Sequence, residues 1–254
     1  MRDKKNIFAI VGSASSNSAN QKLVEKIADL SSKNFNLTIY NSLKSLPHFD
    51  PDLSIGNVPK EIVEFRQNIE SADGIIICTP EYVFSMPSGL KNALEWCIAT
   101  TIFSNKPCGL ITASASGEKG HEMLQLIMKT VMANYTDKTS LLIQGIKGKF
   151  DSEGKLIDTE VKNKLENFID AFTKLINEND TKSLIWLEFQ DIRTDGKCIT
   201  KTLFNETQQS LLMNFQNIIP AKAMVLFVKK NWLFGNSKTI CPLQFGVVHL
   251  SFKA

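Results

Sequence analysis

The run Gly74-Ile75-Ile76-Ile77-Cys78 constrains this chain more than any other segment, because five consecutive residues without a polar side chain leave no face for water. A half-exposed strand alternates apolar and polar residues, whereas an unbroken run suits a parallel strand covered on both faces. Parallel neighbours must be joined by crossover helices, and the chain supplies them. Further strands are read at Asn6-Ile7-Phe8-Ala9-Ile10-Val11, Phe35-Asn36-Leu37-Thr38-Ile39-Tyr40, Lys106-Pro107-Cys108-Gly109-Leu110-Ile111-Thr112-Ala113 and Leu141-Leu142-Ile143. Helical periodicity fills the spaces at 21–31, where Leu23, Val24, Ile27 and Leu30 share a face, and at 60–71, 88–99 and 121–133. A last helix is expected over 158–177, capped by Asp158 or Thr159. Strand and helix alternate five times, which predicts a doubly wound α/β sheet of five parallel strands. The segment 145–157, with Asp151-Ser152-Glu153-Gly154 as a turn, reads as a small β-excursion.

Open parallel sheets bind ligands just beyond the carboxyl ends of their strands. Three strand exits here carry small, polar or turn-forming residues. The first is Gly12-Ser13-Ala14-Ser15-Ser16-Asn17-Ser18-Ala19-Asn20, whose hydroxyls and short side chains let the backbone approach an anion at a helix start. An ordinary Ser/Asn turn with an N-cap accounts for that loop equally well. It is neither a Walker loop nor a Gly-x-Gly-x-x-Gly fingerprint. The second is Thr79-Pro80-Glu81-Tyr82-Val83-Phe84-Ser85-Met86-Pro87, in which the two prolines bias Thr79 and Met86 toward extended backbone and give the loop one shape. The third is Ser114-Ala115-Ser116-Gly117-Glu118-Lys119-Gly120. A plain strand-to-helix connection explains one such loop but not three in register.

Thr79-Pro80-Glu81-Tyr82, followed by Ser85, Pro87 and Leu90-Lys91-Asn92-Ala93, resembles the flavin loop of the NADPH-dependent FMN reductases, a flavodoxin-like family that includes quinone, azo and chromate reductases. The resemblance covers residues 1 to about 178, the length of a whole family member. It implies strand order 2-1-3-4-5 with the cofactor between strands one and three. It also implies that Ser13, Ser15, Ser18, Ala19 and Asn20 hold the FMN phosphate. Pro80, Glu81, Tyr82, Val83, Phe84 and Ser85 then frame the ring through backbone amides, and Ser114, Ala115, Ser116 and Gly117 line its edge. Glu81 is expected to orient its loop or bridge to a second subunit; Tyr82 and Phe84 either stack on the ring or pack on the third helix. Two positions depart from the family pattern: Ser15 stands where an arginine is common, and Val83-Phe84 replace Asn-Gly, which makes the site narrower and more apolar.

The first 179 residues hold 20 Lys/Arg against 21 Asp/Glu, and the remaining 75 hold 9 against 5, giving the overall charge of +3. No dense basic patch marks a nucleic-acid partner. No 18-residue apolar span marks a membrane partner, the short apolar run after Lys5 is no signal core, and a cytoplasmic enzyme is expected. Cys78, Cys97, Cys108, Cys198 and Cys241 form no Cys-x-x-Cys pair and are expected to be free thiols, and the spacing of His48, His121 and His249 predicts no metal site. Residues 180–254, with apolar runs at Leu184-Ile185-Trp186-Leu187 and Ala223-Met224-Val225-Leu226-Phe227-Val228, the second ended by Lys229-Lys230, carry no motif. They read as a C-terminal extension to a flavodoxin-like domain at 1–179: a packed appendage, a partner-binding segment, or translated sequence never selected to fold with it.

By resemblance the function is that of an FMN-dependent NAD(P)H oxidoreductase, in which FMN takes a hydride from NADPH and reduces a flavin, quinone or similar small-molecule electron acceptor, as a homodimer or homotetramer. No side chain is required as acid or base, since the cofactor carries the chemistry. The alternatives are a flavodoxin-type electron carrier, disfavoured by the near-neutral first 179 residues, and a non-catalytic FMN-binding module. Because the expected seat is one short loop with no second dinucleotide fingerprint, flavin released by heat from the purified protein is expected to be FMN; chromatography showing FAD overturns this.

Overall fold

A computed structural model describes residues 4–15, 18–187, 192–194 and 197–199, with side chains described as far as Asn179. Five strands, β1 (Lys5–Val11), β2 (Phe35–Tyr40), β3 (Gly74–Thr79), β4 (Cys108–Ser114) and β5 (Ser140–Gln144), form one parallel sheet in the order β2-β1-β3-β4-β5. The helices are α1 (Ala19–Ser31), α2 (Lys60–Ser71), α3 (Ser88–Glu95), α4 (Glu118–Thr130) and α5 (Thr159–Leu187). This is the flavodoxin-like topology expected above.

Alternation along each strand divides the core in two. Phe8, Ile10, Ile75, Ile77 and Leu110 face α2, α3 and α4 through Phe65, Ile69, Leu90, Leu94, Leu124 and Met128. Ile7, Ala9, Val11, Ile76, Cys78, Ile111 and Ile143 face α1 and α5 through Leu23, Ile27, Leu165, Phe168 and Phe172. The strand Gly74–Thr79 is buried at every residue, as an apolar run without alternation requires. At about 25 cal/mol per Å² of apolar surface, these two layers are the main stabilising term.

Helix ends move where a cap decides them. α1 starts at Ala19 and not residue 21, since Ser18 is an N-cap whose hydroxyl accepts from Asn20 N at 3.1 Å. α3 stops at Glu95, short of residue 99, where Arg66 Nε donates to the carbonyl of the C-cap Trp96 at 2.9 Å and the Trp96 ring sinks into the core. α4 begins at Glu118, three residues early, and ends at Thr130. α5 is capped by Asp158, which accepts from Val161 N at 2.9 Å and pairs with Lys149 at 2.6 Å. It continues past residue 177 to Leu187, because no Gly or Pro interrupts that stretch. The excursion at 145–157 is a 3-10 turn (Ile146–Lys149) and one antiparallel bridge between Phe150 and Leu156. A separate unit holds an antiparallel pair, β6 (Ile192–Thr194) with β7 (Lys197–Ile199). The readings at 223–230, at Cys241 and at His249 lie outside the described residues.

His121 fastens α4 to the sheet. Its Nδ1 lies 2.9 Å from Thr112 Oγ1 on β4, its Nε2 lies 3.0 Å from Ser140 Oγ on β5, and Gln125 Nε2 donates to that same Ser140 oxygen at 2.9 Å. Burial lowers the imidazole's pKa from its ordinary value. The folded state therefore disfavours the proton that the unfolded chain takes up near pH 6.5. Stability from this group is complete above pH 6.5 and is lost as pH falls from there through the folded value. Melting temperature is thus expected to fall between pH 7 and pH 5, and His121→Gln, though less stable at pH 8, is expected to flatten that decline; an equal slope in the variant overturns the assignment.

Candidate functional site

β1, β3 and β4 release their loops at one edge of the sheet, at the point where strand order reverses. Gly12 N donates to Cys78 O at 2.8 Å, continuing the ladder one residue beyond β1. A Cβ at Gly12 would lie 2.5 Å from Thr79 Oγ1 and 2.7 Å from Thr79 Cβ. Only glycine lets the first two loops meet so closely. Thr79 is fully buried there, and its hydroxyl donates to Pro80 O at 3.0 Å.

In the first loop Ser13 Oγ accepts from Ser15 N at 3.3 Å, Ala14 and Ser15 are exposed, and Ser16 and Asn17 lie outside the described residues. Ser18 is buried at the start of α1, and Ala19 opens the helix. The side chain of Asn20 links two strands. Its Nδ2 donates to Ala113 O at 3.1 Å, and its Oδ1 accepts from the Cys78 thiol at 3.3 Å. Asn20 thereby ties the ends of β3 and β4 together, while its backbone N–H donates to the Ser18 hydroxyl.

In the second loop Tyr82 N donates to Ser85 O at 2.8 Å and Ser85 N donates to Tyr82 O at 3.0 Å. Val83 and Phe84, at φ of 50° and 57°, form the two-residue turn between them. Pro80 is buried, Ser85 half-buried, and Met86 anchors the loop in the core. Tyr82, Val83 and Phe84 are 44%, 94% and 75% exposed, so neither aromatic ring is packed away beneath α3. Glu81 orients the loop: its Oε2 accepts from Gly120 N, in the first turn of α4, at 2.7 Å. A Cβ at Gly120 would come within 3.0 Å of Glu81 Cβ, so the loop rests directly on the helix.

In the third loop Ser114 ends β4, and Ala115 O accepts from Gly145 N at 3.1 Å. Ser116 is exposed, and Gly117 caps α4 at φ 89°. The fifteen expected residues thus lie on three adjoining loops. Gly12, Thr79 and Gly120, which hold those loops against one another, were not among them. Their signal is spatial, since each matters only through a neighbour distant in sequence.

Three helices start after these loops: α1 and α3 have no acidic residue in their first turn, and of these two only α1 has a side-chain cap, whereas α4 differs electrostatically. α4 carries Glu118 in its first turn and the Glu81 carboxylate on its amide, whereas α1 has no acidic residue in its first turn and a neutral serine cap. Free amides, hydroxyls and a positive dipole end at α1 fit a phosphate; the carboxylate already at α4 does not.

The strand order and the alternation of strand and helix define a flavodoxin-like α/β protein. Residues 5–141 match the family model described as NADPH-dependent FMN reductase, and the chain belongs to that family of oxidoreductases using FMN and NAD(P)H. It is 28% identical over 180 residues to a 2-hydroxy-1,4-benzoquinone reductase of Burkholderia sp, spanning 68% of this chain and 96% of that protein. An NADPH:quinone oxidoreductase of Arabidopsis thaliana is 30% identical over 178 residues, 66% of this chain and 91% of that one. Among solved structures, FerB, a flavoenzyme NAD(P)H:(acceptor) oxidoreductase from Paracoccus denitrificans, shares the fold at a TM-score of 0.62, with 24% identity over 69% of this chain and 98% of that one.

The Glu81 brace is testable by unfolding of the flavin-free protein. Glu81→Ala leaves the Gly120 amide without its acceptor and is expected to cost about 1–2 kcal/mol. Glu81→Gln keeps an acceptor oxygen, loses only the charge against the helix dipole, and is expected to cost about 0.3–1 kcal/mol. An alanine variant no less stable than the glutamine variant overturns the brace.

Proposed function

We propose that the chain oxidises NADPH and reduces a small organic acceptor of the quinone class, in the balance NADPH + H⁺ + quinone → NADP⁺ + hydroquinone. FMN, when bound, supplies the hydride acceptance and the two-electron transfer. The observation that carries the reading is the pairing of a neutral-capped, acid-free start of α1 with two braced loops on one rim.

Each segment then has a task. Ser13, Ser15 and Ser18 offer hydroxyls and amides to the phosphate, with Ala19 contributing its amide at the helix start and Asn20 an amide that it shares with the Ser18 hydroxyl. Residues 80–85 present amides along the ring, held in place by Glu81, and Ser114 to Gly117 close its edge with side chains too small to obstruct it. No side chain is assigned as a general acid or base. His121 is spent between Thr112 and Ser140, and the Cys78 thiol is buried on Asn20. The three free buried thiols Cys78, Cys97 and Cys108 suit the reducing cytoplasm. Residues 1–179 are proposed to suffice for the flavin chemistry, in a homodimer or homotetramer.

The test has two parts. Anaerobic stopped-flow mixing of the FMN-loaded protein with NADPH is expected to bleach the flavin band rapidly, whereas no bleaching favours an electron carrier or a binding module. Ser18→Asp sets a carboxylate about 4 Å from the phosphate, a repulsion on the order of several kcal/mol at an effective dielectric near 20. FMN affinity in a fluorescence titration is expected to fall about a hundredfold or more, at about 1.4 kcal/mol per tenfold. Aspartate is itself a good N-cap, so the flavin-free variant is expected to melt no lower than its parent. Unaltered affinity removes the phosphate from this loop.

A further inference from the structure

The turn at Val83-Phe84 is unfavourable to the free protein in two independent ways. Both residues lie in the left-handed region, at φ of 50° and 57°, where a β-branched or bulky residue is an outlier and where Asn-Gly sits without strain. Both side chains also stand in solvent, 94% and 75% exposed, beside a Tyr82 that is 44% exposed. The turn does not need them for its own closure. The Tyr82 and Ser85 backbones supply its two hydrogen bonds, and Met86 supplies its core anchor. Strain and exposure retained together point to something the pair touches only when a ligand is present.

Position narrows what that ligand is. The loop leaves β3 beside Gly12 and is fastened by Glu81 to Gly120, so Val83 and Phe84 belong to the loop proposed to frame the flavin. A second copy of the chain needs more than this pair offers. Two such side chains present about 300 Å² at most, against about 800 Å² per partner in a stable interface.

We propose that Val83 and Phe84 are specificity-determining residues, forming an apolar lip over the acceptor position that selects a quinone bearing an apolar side chain. Unsubstituted quinones and anionic acceptors such as free FMN or chromate are then the poorer substrates, because the lip gives the first nothing to bury and gives the second no counter-charge. The inference rests on the quinone-reducing function proposed above and uses the same balance: one hydride, carrying two electrons and one proton, leaves NADPH, one further proton comes from solvent, and the quinone becomes the hydroquinone.

The test compares FMN-loaded wild type with the double variant Val83→Asn/Phe84→Gly, using NADPH with 1,4-benzoquinone and with a decyl-substituted benzoquinone. FMN content and light scattering are recorded for both proteins. The ratio of kcat/KM for the decyl quinone to that for benzoquinone is expected to fall about tenfold or more in the variant. Its melting temperature is expected to rise as the turn relaxes. Phe84→Ala, which leaves the valine in place, is expected to move the ratio in the same direction. An unchanged ratio overturns the proposal, as does a ratio that falls only together with loss of FMN or of the wild-type oligomer. If NADPH bleaches the wild-type flavin but neither quinone is reduced, the lip assignment fails while the NADPH reaction stands. If NADPH does not bleach the flavin, the reductase reading fails and the lip fails with it.

Discussion

The site depends on β1 and β3 lying side by side with their exits pressed together. In a parallel sheet every strand delivers its chain to the same edge, but only at the reversal of strand order do two neighbouring loops diverge and leave a crevice. Here the crevice floor is set by one contact, Gly12 against Thr79, with an amide-to-carbonyl bond to Cys78 beneath it. Two further ties extend the arrangement to β4: Asn20 reaches Ala113, and Glu81 reaches Gly120. All three cross between segments distant in sequence. Any one of them moved by an ångström displaces two loops together, which makes the rim a single shaped surface.

Charge then decides how that surface is used. A helix start favours an anion whichever residue supplies it. α4 receives its anion from the protein itself, from Glu81, and so serves as an anchor. α1 has a neutral cap and no acid in its first turn, and its dipole is left for a ligand. In the proposed function, phosphate recognition at this loop leans on amides, hydroxyls and the dipole, since Ser15 stands where the family resemblance led to an arginine, whose guanidinium would add long-range attraction.

Much of this was legible in the sequence because the deciding signals are local. The unbroken run at 74–78 required a doubly covered strand, periodicity at 60–71 placed α2 to the residue, and proline and serine spacing located all three loops. The misplacements share a cause. α3 ends early because Arg66, thirty residues away, takes the Trp96 carbonyl, and α4 begins early because Glu81 takes its first-turn amide. The tie that the Asn20 side chain makes between β3 and β4 was likewise invisible in the sequence. No periodicity reports a partner that only folding brings near. The strained hand of the Val83-Phe84 turn was equally invisible, since valine and phenylalanine argue for a strand by propensity, not for positive φ.

Cys78, Cys97 and Cys108 are small core side chains and not reactive centres. Cys78 lies near the end of β3, just before the loop proposed to frame the flavin, where a reactive thiolate would add to an electrophilic acceptor. Burial raises its pKa far above the ordinary thiol range, and it donates to Asn20. Burial likewise pushes Cys97 and Cys108 up to about 12. Only the thiolate attacks a disulfide or ligates a metal, so at neutral pH these three are small core side chains. The proposed function accordingly assigns the two-electron chemistry at this rim to FMN, which would supply it when bound, and gives the protein the task of fixing where the donor and the acceptor approach.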